Sequence, residues 1–248
     1  MLVGAALLTS CDKNAVQDIT GPAPGARIKF FNFGVNAPSV NFYANDSKVT
    51  AVSSTTGAES VLGVAYGAVG AGSFYTAIAP GQYALTGKIA AAIDKDLAIS
   101  TVSATLVDGK SYSYYMSGIY NTTTKSVEGF VVEDAYPASI DFSVATVRFV
   151  NAISNAQPMT LYARHTTTLV ETPVGGDVAY KAAGAFVSLP SGIYDLTTRT
   201  AGSTASAIVR AAVGFSAGRT YTITARGDMT VTGTTATNRP ILDNTLNR

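Results

Sequence analysis

The sequence predicts an all-β protein built from two tandem β-sandwich domains, immunoglobulin-like or similar, and three observations lead there. Gly, Ala, Ser and Thr abound while Lys and Glu are scarce, and only 13% of the 248 residues are charged, a composition that disfavours helices and suits short strands joined by tight turns. Apolar residues alternate with period two, as in Ile28 and Phe30 against Lys29 and Phe31, or Val147 and Phe149 against Arg148 and Val150, which is the signature of strands. Finally, the chain repeats itself once, so one supersecondary plan is used twice.

Taken in order, Met1 to Ser10 reads as a lipoprotein-type signal peptide. The apolar run Leu2 to Leu8 is followed by Thr9, Ser10 and Cys11, then by a polar stretch from Asp12 to Asp18. Small side chains before the cut suit a signal peptidase, and a thiol at the new N-terminus is the nucleophile that accepts a diacylglycerol. Cys11 is therefore the expected lipidation site, although Met1, Leu2 and Val3 lack the basic side chain with which such leaders usually begin. An apolar run this short falls below the roughly 20 residues that cross a bilayer core. The expected attachment is thus an acyl anchor, and the expected location is the cell envelope, at the outer membrane, on its periplasmic or surface-exposed side. Cys11 is the only cysteine, so no intrachain disulfide is expected. Residues 11–25, with Gly21, Pro22, Pro24 and Gly25, read as a tether.

The first sandwich is expected over residues 26–140 and the second over 143–236, with a C-terminal tail at 237–248. ARIKFFN at Ala26 to Asn32 recurs as ATVRFVN at Ala145 to Asn151, and the offset of 119 holds through Tyr43-Ala44 against Tyr162-Ala163. Val64-Ala65-Tyr66 answers Val178-Ala179-Tyr180, PGQYALT at Pro80 answers SGIYDLT at Ser191, and DGKSYS at Asp108 answers AGRTYT at Ala217, as the offset shrinks to 114, 111 and 109. Steady shrinkage means longer loops in the first copy. Turns such as Ala79-Pro80-Gly81 and Asp108-Gly109 place Gly where a positive φ is cheap, and about seven strands are expected per copy. Each copy is expected to hold its own core, joined by a linker around Pro137 to Phe142 that few contacts cross.

The residues that carry the repeat also resemble a known family. The strand Arg27 to Asn32, Asn36 to Pro38, Val40 to Tyr43, Val64 to Gly67, Pro80 to Leu85 and Gly109 to Tyr114, with the second copy from Thr146 to Ile223, look like the DUF4397 family of extracytoplasmic bacterial domains. The resemblance covers most of residues 26 to 226. Copy two departs at Gln157-Pro158 and at Lys181, which replaces the Gly after Val-Ala-Tyr, and both changes are expected to alter loops only. The family is named for its unknown function. Its members look like surface or periplasmic lipoproteins and cell-wall proteins, so the resemblance implies fold and location and no mechanism.

Charge excludes one partner class: 17 Lys and Arg against 16 Asp and Glu leave a net +1, with no basic stripe to neutralise phosphates, and nucleic acid is not expected. Catalytic groups are equally sparse. His165 is the only histidine and reads as an exposed loop residue. Asp94 and Asp96 lack the further oxygens a Ca²⁺ site needs, and no spacing singles out a pair from Glu128, Glu133, Asp134 and Asp141. No enzyme, metal or cofactor is therefore expected. Tyrosine is the one enriched group with a binding potential. Tyr83, Tyr112, Tyr194 and Tyr221 sit at equivalent repeat positions and read as framework residues with hydroxyls on backbone partners. Tyr115 and Tyr120, without clear counterparts in copy two, are the candidate ligand-binding residues. The expected function is an interaction or structural module of the envelope, partnered by the membrane and by an envelope protein or glycan. The alternative is a glycan-binding lipoprotein of a nutrient-uptake system.

Overall fold

The computed structural model describes residues 25–50 and 62–248. Cys11, the signal peptide and most of the tether lie outside them. Strands run through both copies in the same order. The first half contains β1 (Ala26–Val35), β2 (Val40–Ala44), β3 (Ser47–Lys48), β4 (Ala68–Val69), β5 (Thr76–Ile78), β6 (Gly81–Ile89), β7 (Ala98–Leu106), β8 (Ser111–Asn121) and β9 (Ser126–Glu133). The second contains β10 (Val144–Asn151), β11 (Met159–His165), β12 (Glu171–Val178), β13 (Ala182–Ala183), β14 (Val187–Pro190), β15 (Gly192–Thr200), β16 (Ile208–Phe215), β17 (Thr220–Arg226) and β18 (Ile241–Leu246). Among the described residues each half has nine strands against the expected seven, since its first strand carries two short edge strands, β4 and β5 on β1 and β13 and β14 on β10. A single 3-10 turn, Ala71–Ser73, interrupts the β-structure of the described residues.

In each half two sheets face one another. The first half pairs β4-β1-β8-β9, with β5 also on β1, against β3-β2-β6-β7; the second pairs β13-β10-β17-β18, with β14 on β10, against β12-β11-β15-β16. The duplication extends to the register. Parallel pairing sets Ile28 beside Tyr112 in β1 and β8, and sets Val147 beside Tyr221 in β10 and β17, the partners that the sequence offsets of 119 and 109 demand. Residues 237–248, expected to be a tail, instead supply β18, which closes the second half by pairing with β17. Its Leu242 enters that half's core.

Repeat residues with no apolar character also have work to do. Asn32 donates from Nδ2 to the Val64 carbonyl at 2.8 Å, and its counterpart Asn151 donates to the Val178 carbonyl at 3.2 Å, holding the same loop in both halves. Tyr83 and Tyr194 each donate to the carbonyl four residues back, Ala79 and Pro190, while Tyr112 and Tyr221 each accept from the amide five residues back, Val107 and Ser216. The framework role expected for these four tyrosines is what the structure shows.

Two cores lie inside the sandwiches, one built on Ile28, Phe30, Phe42, Tyr112, Tyr114 and Met116 and one on Val147, Phe149, Leu161, Leu196 and Ile223. A third lies between the halves. Phe31, Phe33, Tyr115 and Phe130 of the first half pack with Val150 and Ala152 of the second, so the outer faces of the β1-β8-β9 and β10-β17-β18 sheets are stacked on each other. This corrects the expectation of a junction that few contacts cross. Nine of the ten β1 residues are buried because one face of the strand looks into its own sandwich and the other into this seam.

Candidate functional site

Of the two tyrosines expected to meet a ligand, Tyr115 is fully buried. Its ring is stacked between Phe31 at 4.4 Å and Phe130 at 5.1 Å, and burial pushes its hydroxyl up to about 12. It is a core residue of the seam, and a ligand could reach it only by parting the halves. Tyr120 is half-buried and packs against the first sandwich core. The two do not form a site. The sequence signal that places Tyr115 in the seam was present in the partner strands: Phe31 and Val150 put apolar side chains on the face opposite Phe30 and Phe149, and a strand apolar on both faces is covered on both.

His165 accepts at Nδ1 from the amides of Thr167 and Thr168 at 3.1 and 3.2 Å and sits edge-on to Tyr194. It caps a turn and has no carboxylate partner there. Asp94 is paired with Lys125 at 2.6 Å, away from any donor set, and no group of three His, Cys, Asp or Glu side chains gathers among the described residues.

Charged groups are concentrated instead in the seam, and their contacts are reciprocal. Lys29 and Arg148 are equivalent by the repeat, and each is about 2% exposed. Lys29 donates to the Leu246 carbonyl of the second half at 2.8 Å, whereas Arg148 donates to the Glu133 carbonyl of the first at 3.0 Å. Glu133 and Leu246 are themselves equivalent, being paired with Tyr112 and Tyr221. Each cation also lies over an aromatic ring of its own half, Lys29 over Tyr75 at 4.5 Å and Arg148 over Phe186 at 4.9 Å. Residue i of one half meets j of the other and j meets i, which is the mark of a two-fold, isologous contact.

Symmetry breaks at one position. The amide of Asp134 donates to the Ser111 carbonyl and the amide of Asn247 to that of Thr220, so these two residues correspond. Asp134 takes a direct ion pair from Arg148 and hydrogen bonds from Tyr75 and Ser113. Tyr75 and Tyr136 are joined hydroxyl to hydroxyl, and burial drives both phenols above their ordinary range, with Asp134 adding to it. Burial works against the charge of Arg148, yet Asp134 and the nearby tyrosines outweigh it and raise its pKa. Lys29 has no such carboxylate partner of its own among the described residues. Burial pulls it down to about 8, and Asp134, already engaged by Arg148, opposes this only in part.

A second candidate lies on the solvent face of the other sheet. Tyr162 is backed by the Arg199 guanidinium at 4.3 Å, and Arg199 pairs with both oxygens of Glu171 at 2.6 and 2.7 Å. Tyr162 and Arg199, with Asp177, which accepts from Thr160 at 2.6 Å, line an open cavity of about 680 Å³. The first half repeats the pair as Tyr43 under Lys88 at 4.3 Å. The repeat offset matches Tyr43 with Tyr162, but nothing in one sequence tells an outward tyrosine from an inward one, so neither stands out there as a ligand candidate.

Residues 145–246 match the family described as "Domain of unknown function (DUF4397)". No curated protein matches the chain.

Proposed function

We propose that this chain is a lipid-anchored extracytoplasmic protein whose one DUF4397 domain at 145–246 and its structural repeat at 26–133 act together as a non-catalytic interaction or structural module of the cell envelope. The observation that carries the reading is the seam: a buried aromatic core and a buried ion pair join the two halves, as suits a spacer or docking platform held on a tether. The anchor is read from Leu2 to Cys11. Cys11→Ser is expected to move the protein from detergent-extractable membranes to the soluble fraction, and intact-mass analysis of the wild type should show acylated Cys11 at the N-terminus. A membrane form still carrying Met1 to Ser10 would sink the anchor.

A glycan-binding role is favoured by one feature, the open cavity around Tyr162, whose aromatic ring, hydroxyls and charged groups suit a polyhydroxylated ligand. A glycan array probed with the wild type and with Tyr162→Ala tests it. Signals that survive the substitution would remove the cavity from consideration.

A further inference from the structure

The pseudo-two-fold seam ends in two clefts, one at each buried cation, and they are not alike. Beside Arg148 the cleft is closed electrostatically, because Asp134 neutralises the guanidinium. Beside Lys29 the equivalent carboxylate is missing: Asn247 stands in its place and spends its Nδ2 on Thr222 Oγ1 at 2.7 Å. The resulting cleft, of about 370 Å³, is lined by Lys29, Arg219 and Arg248 and, among the described residues, by no Asp or Glu side chain. Arg219 forms no ion pair among the described residues, and Arg248 donates to the Pro137 carbonyl and lies over the Tyr136 ring. At the mouth, Phe74 is 76% exposed and lines the same cleft.

A buried ammonium with a single carbonyl acceptor among the described residues retains two N–H donors, and the one carboxylate whose charge acts on it, Asp134, is already paired with Arg148, so its charge is incompletely balanced by a counter-ion, which is costly. In the other cleft the chain supplies that counter-ion covalently. We propose that the Lys29 cleft takes it from solution and is a binding site for a small-molecule oxyanion, a carboxylate or phosphate group borne on a ring compound. The oxyanion sits between Lys29, Arg219 and Arg248, beside Asn247, and supplies the charge that Asp134 supplies in the other cleft, and the ring of the ligand lies against Phe74. Guanidinium groups suit either acid through paired N–H donors, and an exposed aromatic at the mouth stacks on a sugar or other flat body. Nothing here depends on the lipid anchor or on the cavity at Tyr162.

The test is titration calorimetry with thermal melting of the full chain near pH 7 at constant ionic strength, using glucuronate and glucose 1-phosphate as probes and glucose and chloride as controls. A saturable heat and a rise in Tm are expected with at least one acidic probe and with neither control, and which probe binds distinguishes carboxylate from phosphate. Arg219→Ala and Arg248→Ala, both at exposed positions, should each weaken binding about tenfold, the loss of one charge-assisted contact. Asn247→Asp should abolish binding while keeping or raising the Tm, because it installs the missing carboxylate. Acidic probes that behave like chloride, or an Asn247→Asp variant that binds as wild type does, would overturn the proposal.

Discussion

At the residue scale the seam turns on Arg148 and Asp134. Breaking a buried pair leaves one charge unmatched, so Asp134→Ala should cost about 3–5 kcal/mol in urea unfolding. Replacing both at once, Arg148→Met with Asp134→Leu, should recover most of that loss, since well-packed apolar groups need no counter-ion. Lys29 gives the protein a distinctive pH profile. Its folded pKa of about 8 lies below the ordinary 10.5, so between those values the unfolded chain binds more protons than the folded one and stability rises with pH. Tyr75 and Tyr136 act oppositely. Their pKa values are raised from 10, so their contribution is complete below pH 10 and is lost above it. Urea midpoints should therefore climb from about pH 8 to about pH 10 and then fall, and Lys29→Met should flatten the climb. A midpoint that declines steadily from pH 8 in the wild type would contradict this account.

Strands, the next scale up, differ from their repeats in what their outer faces carry. On β1 the seam residues are Phe31 and Phe33, while the second half offers the smaller Val150 on β10 and Ala152 just past its end, so large rings of one half fill the space left by small side chains of the other. Phe31→Ala should cost about 3–5 kcal/mol and Val150→Ala less, following the size of the void each leaves. A seam of two flat, equivalent faces would give matched losses instead. The loop after the Val-Ala-Tyr segment shows the same division of labour. Gly67 adopts φ +80, and a Cβ there would stand 2.7 Å from the Arg226 guanidinium. Its counterpart Lys181 reaches over the seam to Glu128 at 2.8 Å. The expectation that this substitution touches only a loop is corrected: it swaps a clearance for a cross-seam ion pair. Gly67→Lys should therefore destabilise the protein, by displaced packing and by a side chain forced to positive φ.

For the whole molecule, the seam changes what the duplication means. Either half alone would expose Phe31, Phe33, Tyr115 and Phe130, or the face that covers them, as a contiguous apolar patch, a kind of surface that marks an interaction site. A protease site placed within residues 138–142 and then cut should leave two fragments that elute together at the size of the intact chain. Fragments that separate at once would show that the link, not the seam, holds the halves. Tyr115→Glu, which buries a charge beside two phenyl rings, should release them after the same cut.

Sequence alone determined the all-β class, the duplication, the correspondence of positions between the copies, and the framework roles of Tyr83, Tyr112, Tyr194 and Tyr221. These follow from local periodicity, turn chemistry and self-comparison, all of which are properties of neighbours along the chain. Tertiary structure decided the rest. That the β1 and β10 sheets stack on each other, that Tyr115 belongs to a core, that residues 241–246 close a sheet, and that Asn247 stands where Asp134 stands each depend on how separate strands meet in space. The alternation of a strand tells which side chains share a face, but only the packing of that face against another sheet tells whether it meets water, a partner strand or a buried charge.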